Sequence, residues 1–322
     1  DNIQLAVDAA DVLVGFNIKF DLHWLRRYGI NFSKKRIWDC QLVEFMLRNQ
    51  SAAYPSLNAT AEYYDLGTKL DEVKENYWKN GIDTNEVPKE ILADYLKRDV
   101  ELTQQVMNKQ IEELAKRPEL KRLVSLHNQD LLVLQEMEYN GLKYDYDKST
   151  VLGDELDEQI SKLNIKLKSF HSYDDFNPNS NDHLSVFLYG GVIKERFQCP
   201  VGHYKSGNNA GEVKYKWEER DKEFQRLINP LPNTELKKEG FFSTNEDTLR
   251  KLKPRTNDGK EILKIILTRA TMQKRMTTYY HGLVKLIDEM KWKTDTIHGQ
   301  LNQCVAKTGR LSSSKPNLQN FD

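Results

Sequence analysis

Short apolar runs and amphipathic stretches alternate along the first hundred residues. Val12–Phe16 is a short apolar run ending beside Gly15, the pattern of a buried strand. Between Asn17 and Tyr28, apolar Phe20, Leu22, Trp24 and Leu25 predict a helix, which Gly29 ends. A second strand ends near Asp39, and Leu42–Leu47 reads as helical. Strand–helix–strand alternation marks an α/β domain. A long helix is predicted from about Pro88 to Leu114, with Pro88 in the first turn, where a missing N–H costs little.

From Glu119 the pattern becomes helical. Leu120, Leu123, Val124, Leu131, Leu134, Met137 and Glu138 fit an amphipathic helix ended at Asn140-Gly141. Residues 151–170 and 181–189 give two more helices, the latter stopped by Gly190-Gly191. Residues 192–244, rich in Gly, Asn, Pro and Lys, read as a loop or β-hairpin insertion. Glu246–Leu252 is a short helix. Lys260–Met290 reads as one long helix, with Ile262, Ile265, Ile266, Met272, Met276, Leu283 and Ile287 along it. His298–Val305 alternates weakly, as a strand leading into a final loop.

Composition adds bounds. The 322 residues, 39% apolar and 30% charged, suit a soluble protein of two or more domains. No apolar run approaches the roughly 18 residues of a membrane span, so a membrane partner is not expected. Cys40, Cys199 and Cys304 lie far apart, consistent with a reduced, cytoplasmic compartment. The first residue is Asp, and the chain reads as a piece of something longer. The net charge of zero is unevenly spread: residues 250–322 hold 15 Lys/Arg against 6 Asp/Glu, a net of +9. Such a quarter suits a polyanionic partner, or simply a solvated charged face.

Two i,i+4 pairs carry candidate chemistry, Asn17 with Asp21 after the first strand and Tyr95 with Asp99 on the long helix. Spacing of four puts each pair on one helical face. Carboxylates so placed could hold Mg²⁺, which prefers a few carboxylates and keeps its waters, while a Tyr hydroxyl positions an attacking water. The same spacing also serves a tyrosine capping a core.

FNIKFD, then WDCQL, then YLKRDVELT resemble the second and third motifs of RNase H-like (DnaQ-type) proofreading exonucleases, in the form attached to family A DNA polymerases. The resemblance implies that Asp21 and Asp99 are metal ligands, Tyr95 the water-orienting residue and Asn17 a supporting amide. Asp39 matches a recurring position outside the primary ligands. The family's first motif, Asp-x-Glu, is not among the twenty residues before Asp21. Two of four metal carboxylates are then missing, so the chain as given is expected to be inactive as an exonuclease.

The final residues carry the more specific signal. TGRLSSSKPNLQN, with IHGQLNQ before it, resembles the loop that precedes the catalytic aspartate of family A polymerases. By that resemblance Arg310 contacts the primer end and incoming nucleotide, and Asn317 and Gln319, with Asn320 beside them, touch the minor groove. Acceptors there recur at every base pair, so one donor checks pairing without reading sequence. LLVLQEMEYNGLKYD, FNPNSNDHLSVFLYG, FFSTNEDTLRKL and RATMQKRM resemble the first polymerase helix and the thumb, closest to phage-like members. Lys274 and Arg275 would face phosphates.

The expected organisation is a partial α/β, RNase H-like exonuclease at 1–115 and a mainly helical thumb at 116–295. The thumb carries a small β insertion at about 192–244, and the first palm strand follows at 296–322. The expected parent is a phage-like DNA-directed DNA polymerase with Mg²⁺ two-metal sites, primer–template DNA and dNTPs as partners. Within the insertion, Cys199-x3-His203 supplies two ligands, too few for a zinc site. About 35 residues separate NGLKYD from FNPNS, which leaves no room for a thioredoxin-type processivity insertion. Other readings are a stand-alone 3′–5′ nuclease with a nucleic-acid-binding helical tail, or a non-catalytic half of a split polymerase.

Overall fold

Asn17 turns the chain from the first strand into the first long helix, because its left-handed backbone (φ 61°, ψ 46°) is one that Asn tolerates. The structure, a computed structural model, describes residues 2–69, 72–171, 173, 175–205 and 211–321. It contains two compact units, Asp1–Tyr144 with Asp295–Asp322, and Asp145–Thr294.

In the first unit α1 (Asn2–Ala9) precedes β1 (Val12–Gly15), α2 (Ile18–Arg27) and β2 (Arg36–Asp39). β1 and β2 pair in parallel, Val12 opposite Arg36 and Gly15 opposite Asp39, with α2 as the crossover that parallel pairing requires. The expected buried strand needs correcting: Val14 is 36% exposed, because among the described residues β2 is the one strand paired to β1. α3 (Cys40–Leu47) is buried at every position but Gln41. The short α4 (Leu57–Tyr63) and α5 (Glu72–Asn76) follow, then α6 (Lys89–Lys116), with Pro88 at its N-cap rather than in its first turn.

α7 (Lys121–Asn140) buries Val124, Asn128, Leu131, Leu134, Gln135 and Glu138, while Leu123 and Met137 stay exposed. The buried stripe is therefore half polar, and each polar member has a partner described below. β3 (Leu142–Lys143) pairs with β6 (Thr296–Ile297), and β7 (Gln300–Asn302) with β8 (Ser312–Ser314). The strand expected over His298–Val305 is thus confined to its middle. Contacts place α7 and residues 295–322 in the same unit as β1 and β2, so the first compact unit runs past the expected boundary at 115 to Tyr144 and resumes at Asp295, beside the expected boundary at 295. Ile18, Leu22, Ile37, Val43, Phe45 and Leu131 belong to its core.

The second unit opens with α8 (Tyr146–Lys168), capped by Asp145 accepting from the Lys148 N–H. α9 (Asn181–Tyr189) is capped by Ser180 and is buried from Leu184 to Tyr189. The insertion is a hairpin of β4 (Gly191–His203) and β5 (Val213–Phe224); its residues 206–210 lie outside the described residues. α10 (Glu246–Lys251) precedes α11 (Asn257–Arg275). The single helix expected over Lys260–Met290 is interrupted: Met276–Tyr280 forms a π turn before α12 (His281–Met290). Gly282 makes the turn possible, since a Cβ there would stand 1.9 Å from the Thr277 carbonyl oxygen. Phe187, Leu188, Ile262, Ile265 and Ile266 anchor the core. Arg269, 5% exposed, gives its guanidinium to Asn164 Oδ1, the Pro178 carbonyl and Asn179 Oδ1. Pro178 and Asn179 of the FNPNS stretch thus hold a buried cation, while Asn177 Oδ1 accepts the Asn179 N–H. Among the described residues no helix is long and apolar enough to cross a membrane.

Candidate functional site

Asp39 organises the ground on which Asn17 and Asp21 stand. It is 3% exposed, and its carboxylate accepts from the backbone N–H groups of Asn17, Ile18, Gln41 and Leu42, at 2.8–3.2 Å. One side chain thus caps the N-termini of α2 and α3 together. Burial pushes its carboxyl up to about 6, against the four N–H donors, which act downward. The Asn128 side chain accepts the Asp39 N–H at 2.8 Å. Asn17 itself contributes a left-handed backbone and makes no side-chain cap. Asp21 sits in the first turn of α2, where the helix dipole favours a carboxylate. Desolvation nevertheless raises it above its ordinary value.

Tyr95 and Asp99 meet through a residue that sequence reasoning missed. Lys69 Nζ lies 2.6 Å from Asp99 Oδ2 and donates to the Tyr95 hydroxyl at 3.1 Å. Burial works to lower the Lys69 ammonium, and the bonds to Asp99 and Tyr95 outweigh it, so it is raised. Trp78 packs edge-on against Tyr95, ring centroids 5.7 Å apart. Among the described residues Asp99 Oδ1 is buried without a hydrogen-bond partner, an acceptor left over for a cation. Among the described residues no group of three or more His, Cys, Asp or Glu is placed to hold a metal. Lys69 had no motif to announce it; only the fold brings it to α6.

Glu138, read in sequence as part of an amphipathic stripe, is a buried hub. Its carboxylate receives Lys19 Nζ at 2.6 Å, His23 Nε2 at 2.8 Å and the Leu301 N–H at 2.5 Å. Lys19 also donates to the Leu301 carbonyl, and His298 Nδ1 bonds the Glu138 carbonyl at 2.9 Å. Burial acts to raise the Glu138 carboxyl, but the bonds from His23, Leu301 and Lys19 bring it below its ordinary value. Lys19 and His23 flank Asp21 on α2, so α2, α7 and β7 are pinned at one point.

The terminal loop hangs from that anchor. Ser313 Oγ accepts the Leu318 N–H, Asn317 Oδ1 accepts the Gln319 N–H, and Gln319 Nε2 donates to the Leu311 carbonyl, each at 3.0–3.1 Å. Gly299 leaves room for Leu318, which a Cβ would meet at 2.6 Å. Asn317 and Gln319 thus shape the loop with amide groups expected to face DNA. Arg310 and Asn320 are exposed, and Arg310 forms no ion pair among the described residues. In the other unit, Lys274 and Arg275 end α11, exposed and, among the described residues, without a carboxylate.

Residues 221–322 match the model of DNA polymerase family A. DNA polymerase I of Bacillus subtilis (strain 168) is 27% identical over 92% of this chain and 28% of its own length. The DNA polymerase of Bacillus phage SP01 is 23% identical over 96% of this chain and 34% of its own. The chain therefore spans about a quarter to a third of these relatives. A solved structure, the POL domain of Pol1 from M. smegmatis in complex with DNA primer-template and dNTP, is similar with a TM-score of 0.63. At 18% identity, over 95% of this chain and 42% of that one, the likeness is one of fold. With a family match at residues 221–322 and similarity to DNA polymerase I over nearly its whole length, the chain is a relative of the family A DNA polymerases.

Proposed function

We propose that the chain forms the thumb and neighbouring regions of a DNA-directed DNA polymerase that copies a primed template in the cytoplasm, in phage-type replication. The family match over 221–322 carries this reading, because that span includes α11 and the terminal loop. Lys274 and Arg275 hold duplex phosphates without reading sequence. Arg310, exposed on a loop anchored through Glu138, meets the primer end and incoming dNTP. Asn317 and Gln319 stiffen that loop as well as offering amides to the minor groove, with Asn320 beside them.

Within the first unit, residues 1–115 are proposed as an RNase H-like proofreading exonuclease region. The orphaned Oδ1 of Asp99 fits a Mg²⁺ ligand, and Asp21 fits a second at the N-terminus of α2. Two bound Mg²⁺ ions would supply an activated water and stabilise the leaving oxygen of a phosphodiester. The Tyr95 hydroxyl orients that water, and Lys69 holds Asp99 Oδ2 in place. Asn17 and Asp39 fix the start of the helix that carries Asp21.

The test uses a protein extended to the length of its relatives. Arg310→Ala should abolish single-nucleotide extension while Asp99→Ala should abolish digestion of a single-stranded 3′ end. Tyr95→Phe should slow digestion less, by about ten- to a thousand-fold. Unimpaired extension with Arg310→Ala would overturn the polymerase reading of the loop, and unimpaired digestion with Asp99→Ala the exonuclease reading.

A further inference from the structure

The β4–β5 hairpin carries two kinds of cation. Near its base every one described in an ion pair has a carboxylate: Lys194 and Arg196 reach Glu219 at 3.7 and 2.9 Å, and Arg220 reaches Glu195. Further out, Lys205, Lys214 and Lys216 form no ion pair among the described residues; Lys214 lies over the Tyr204 ring at 5.9 Å. The apolar side chains change in the same direction. Trp217 is 63% and Tyr215 51% exposed. They stand two residues apart on one face of β5, opposite Gln198 and Pro200, which spaces their rings by about 7 Å. Nearly the whole of β5 is exposed. An open groove beside Trp217 is lined by Phe197, Gln198, Arg196 and Arg220, with the carboxylates of Asp175 and Glu195. The family match begins at residue 221, so most of this hairpin lies outside it.

Tyr215 and Trp217 take one face of β5 and Lys214 and Lys216 the other; rings on one face of a narrow two-stranded ribbon and, among the described residues, lysines without an ion pair on the other suit a flexible anionic chain that crosses its edge and offers flat apolar faces. Base pairs in a duplex keep their faces stacked on one another, whereas unstacked bases accept aromatic side chains. A single strand of nucleic acid answers both features with one repeating unit, a base for each ring and a phosphate for each lysine. We infer that the outer half of this hairpin binds single-stranded nucleic acid, with Trp217 and Tyr215 stacking on bases and Lys205, Lys214 and Lys216 meeting phosphates. The inference rests on the polymerase reading, in which an unpaired template strand is the natural occupant.

The experiment is fluorescence anisotropy of the whole chain with a labelled oligo(dT) strand and, separately, with a blunt duplex. Trp217→Ala with Tyr215→Ala should weaken single-strand binding by about ten-fold or more and leave duplex binding unchanged. Lys214→Ala with Lys216→Ala should flatten the single-strand salt slope by about one to two contacts, at roughly 0.7 per phosphate. All four side chains are exposed, so each variant should keep the parent's melting temperature. Unchanged single-strand affinity in the aromatic variant overturns the inference, and so does an equal loss on blunt duplex. A hairpin that captures a protein while ignoring oligo(dT) also overturns it. Duplex binding that persists in any of these outcomes leaves the thumb reading standing, and its failure is seen independently.

Discussion

Glu138 holds Lys19, His23 and the Leu301 N–H at once, and it is 8% exposed. Removing the carboxylate strands two basic side chains and a buried N–H. Glu138→Ala should therefore destabilise the first unit by about 3–5 kcal/mol. Because the carboxyl lies below its ordinary 4.5 in the fold, the native state binds that proton less tightly than the unfolded chain. Its contribution is complete above about pH 4.5 and is lost as pH falls through the native value. Melting curves of the parent and Glu138→Gln should accordingly converge below about pH 4.5; a gap independent of pH would contradict this. Asp39→Ala leaves four N–H donors of two helix ends without an acceptor and should cost on the order of 3 kcal/mol or more, read by denaturant unfolding. Asp21, Tyr95 and Asp99 could be singled out in the sequence because motif spacing names residue types. Lys69 and Glu138 were not, because their partners lie 26 and 30 residues away at Tyr95 and Asp99, and 115 and 163 residues away at His23 and Leu301.

At the scale of elements, α6, α8 and α9 were foreshadowed by periodicity and by Pro88 and Gly190. α4 and α5, of seven and five residues, are too short to show a period. The π turn was hidden for another reason. Met276, Leu283 and Ile287 are all buried, and their spacing of seven and four is what an uninterrupted helix would show. The extra residue in the turn is betrayed by Gly282, not by the apolar pattern. In an exposed ordinary helix, Gly→Ala stabilises by roughly 0.5–1 kcal/mol. Gly282→Ala should do the opposite: with the Thr277 oxygen 1.9 Å from the new carbon, the turn must open or α12 must shift. A melting temperature lowered by several degrees is expected, and a raised one would show that the turn is not as described.

For the whole molecule, the pattern of apolar positions did not foretell where the first unit ends. Residues 119–140 read as the start of a helical region, yet α7 joins the first unit, because Asn128, Gln135 and Glu138 find their partners on β2 and α2. Polar burial of that kind has no periodic signature. The charge of the 250–322 segment, +9, is by contrast legible in the sequence as a sum, whatever its residues contact.

The most direct measurement is duplex binding by the chain itself, followed by anisotropy of a labelled primer–template from about 50 to about 200 mM salt. The account predicts binding without sequence preference, weakening by roughly 0.9 log units per contacted phosphate for each tenfold rise in salt. Lys274→Ala with Arg275→Ala should flatten that slope by about one to two contacts, while Arg310→Ala should leave it unchanged. No detectable duplex binding at about 50 mM salt, or a slope that the Lys274/Arg275 double substitution does not alter, would contradict it.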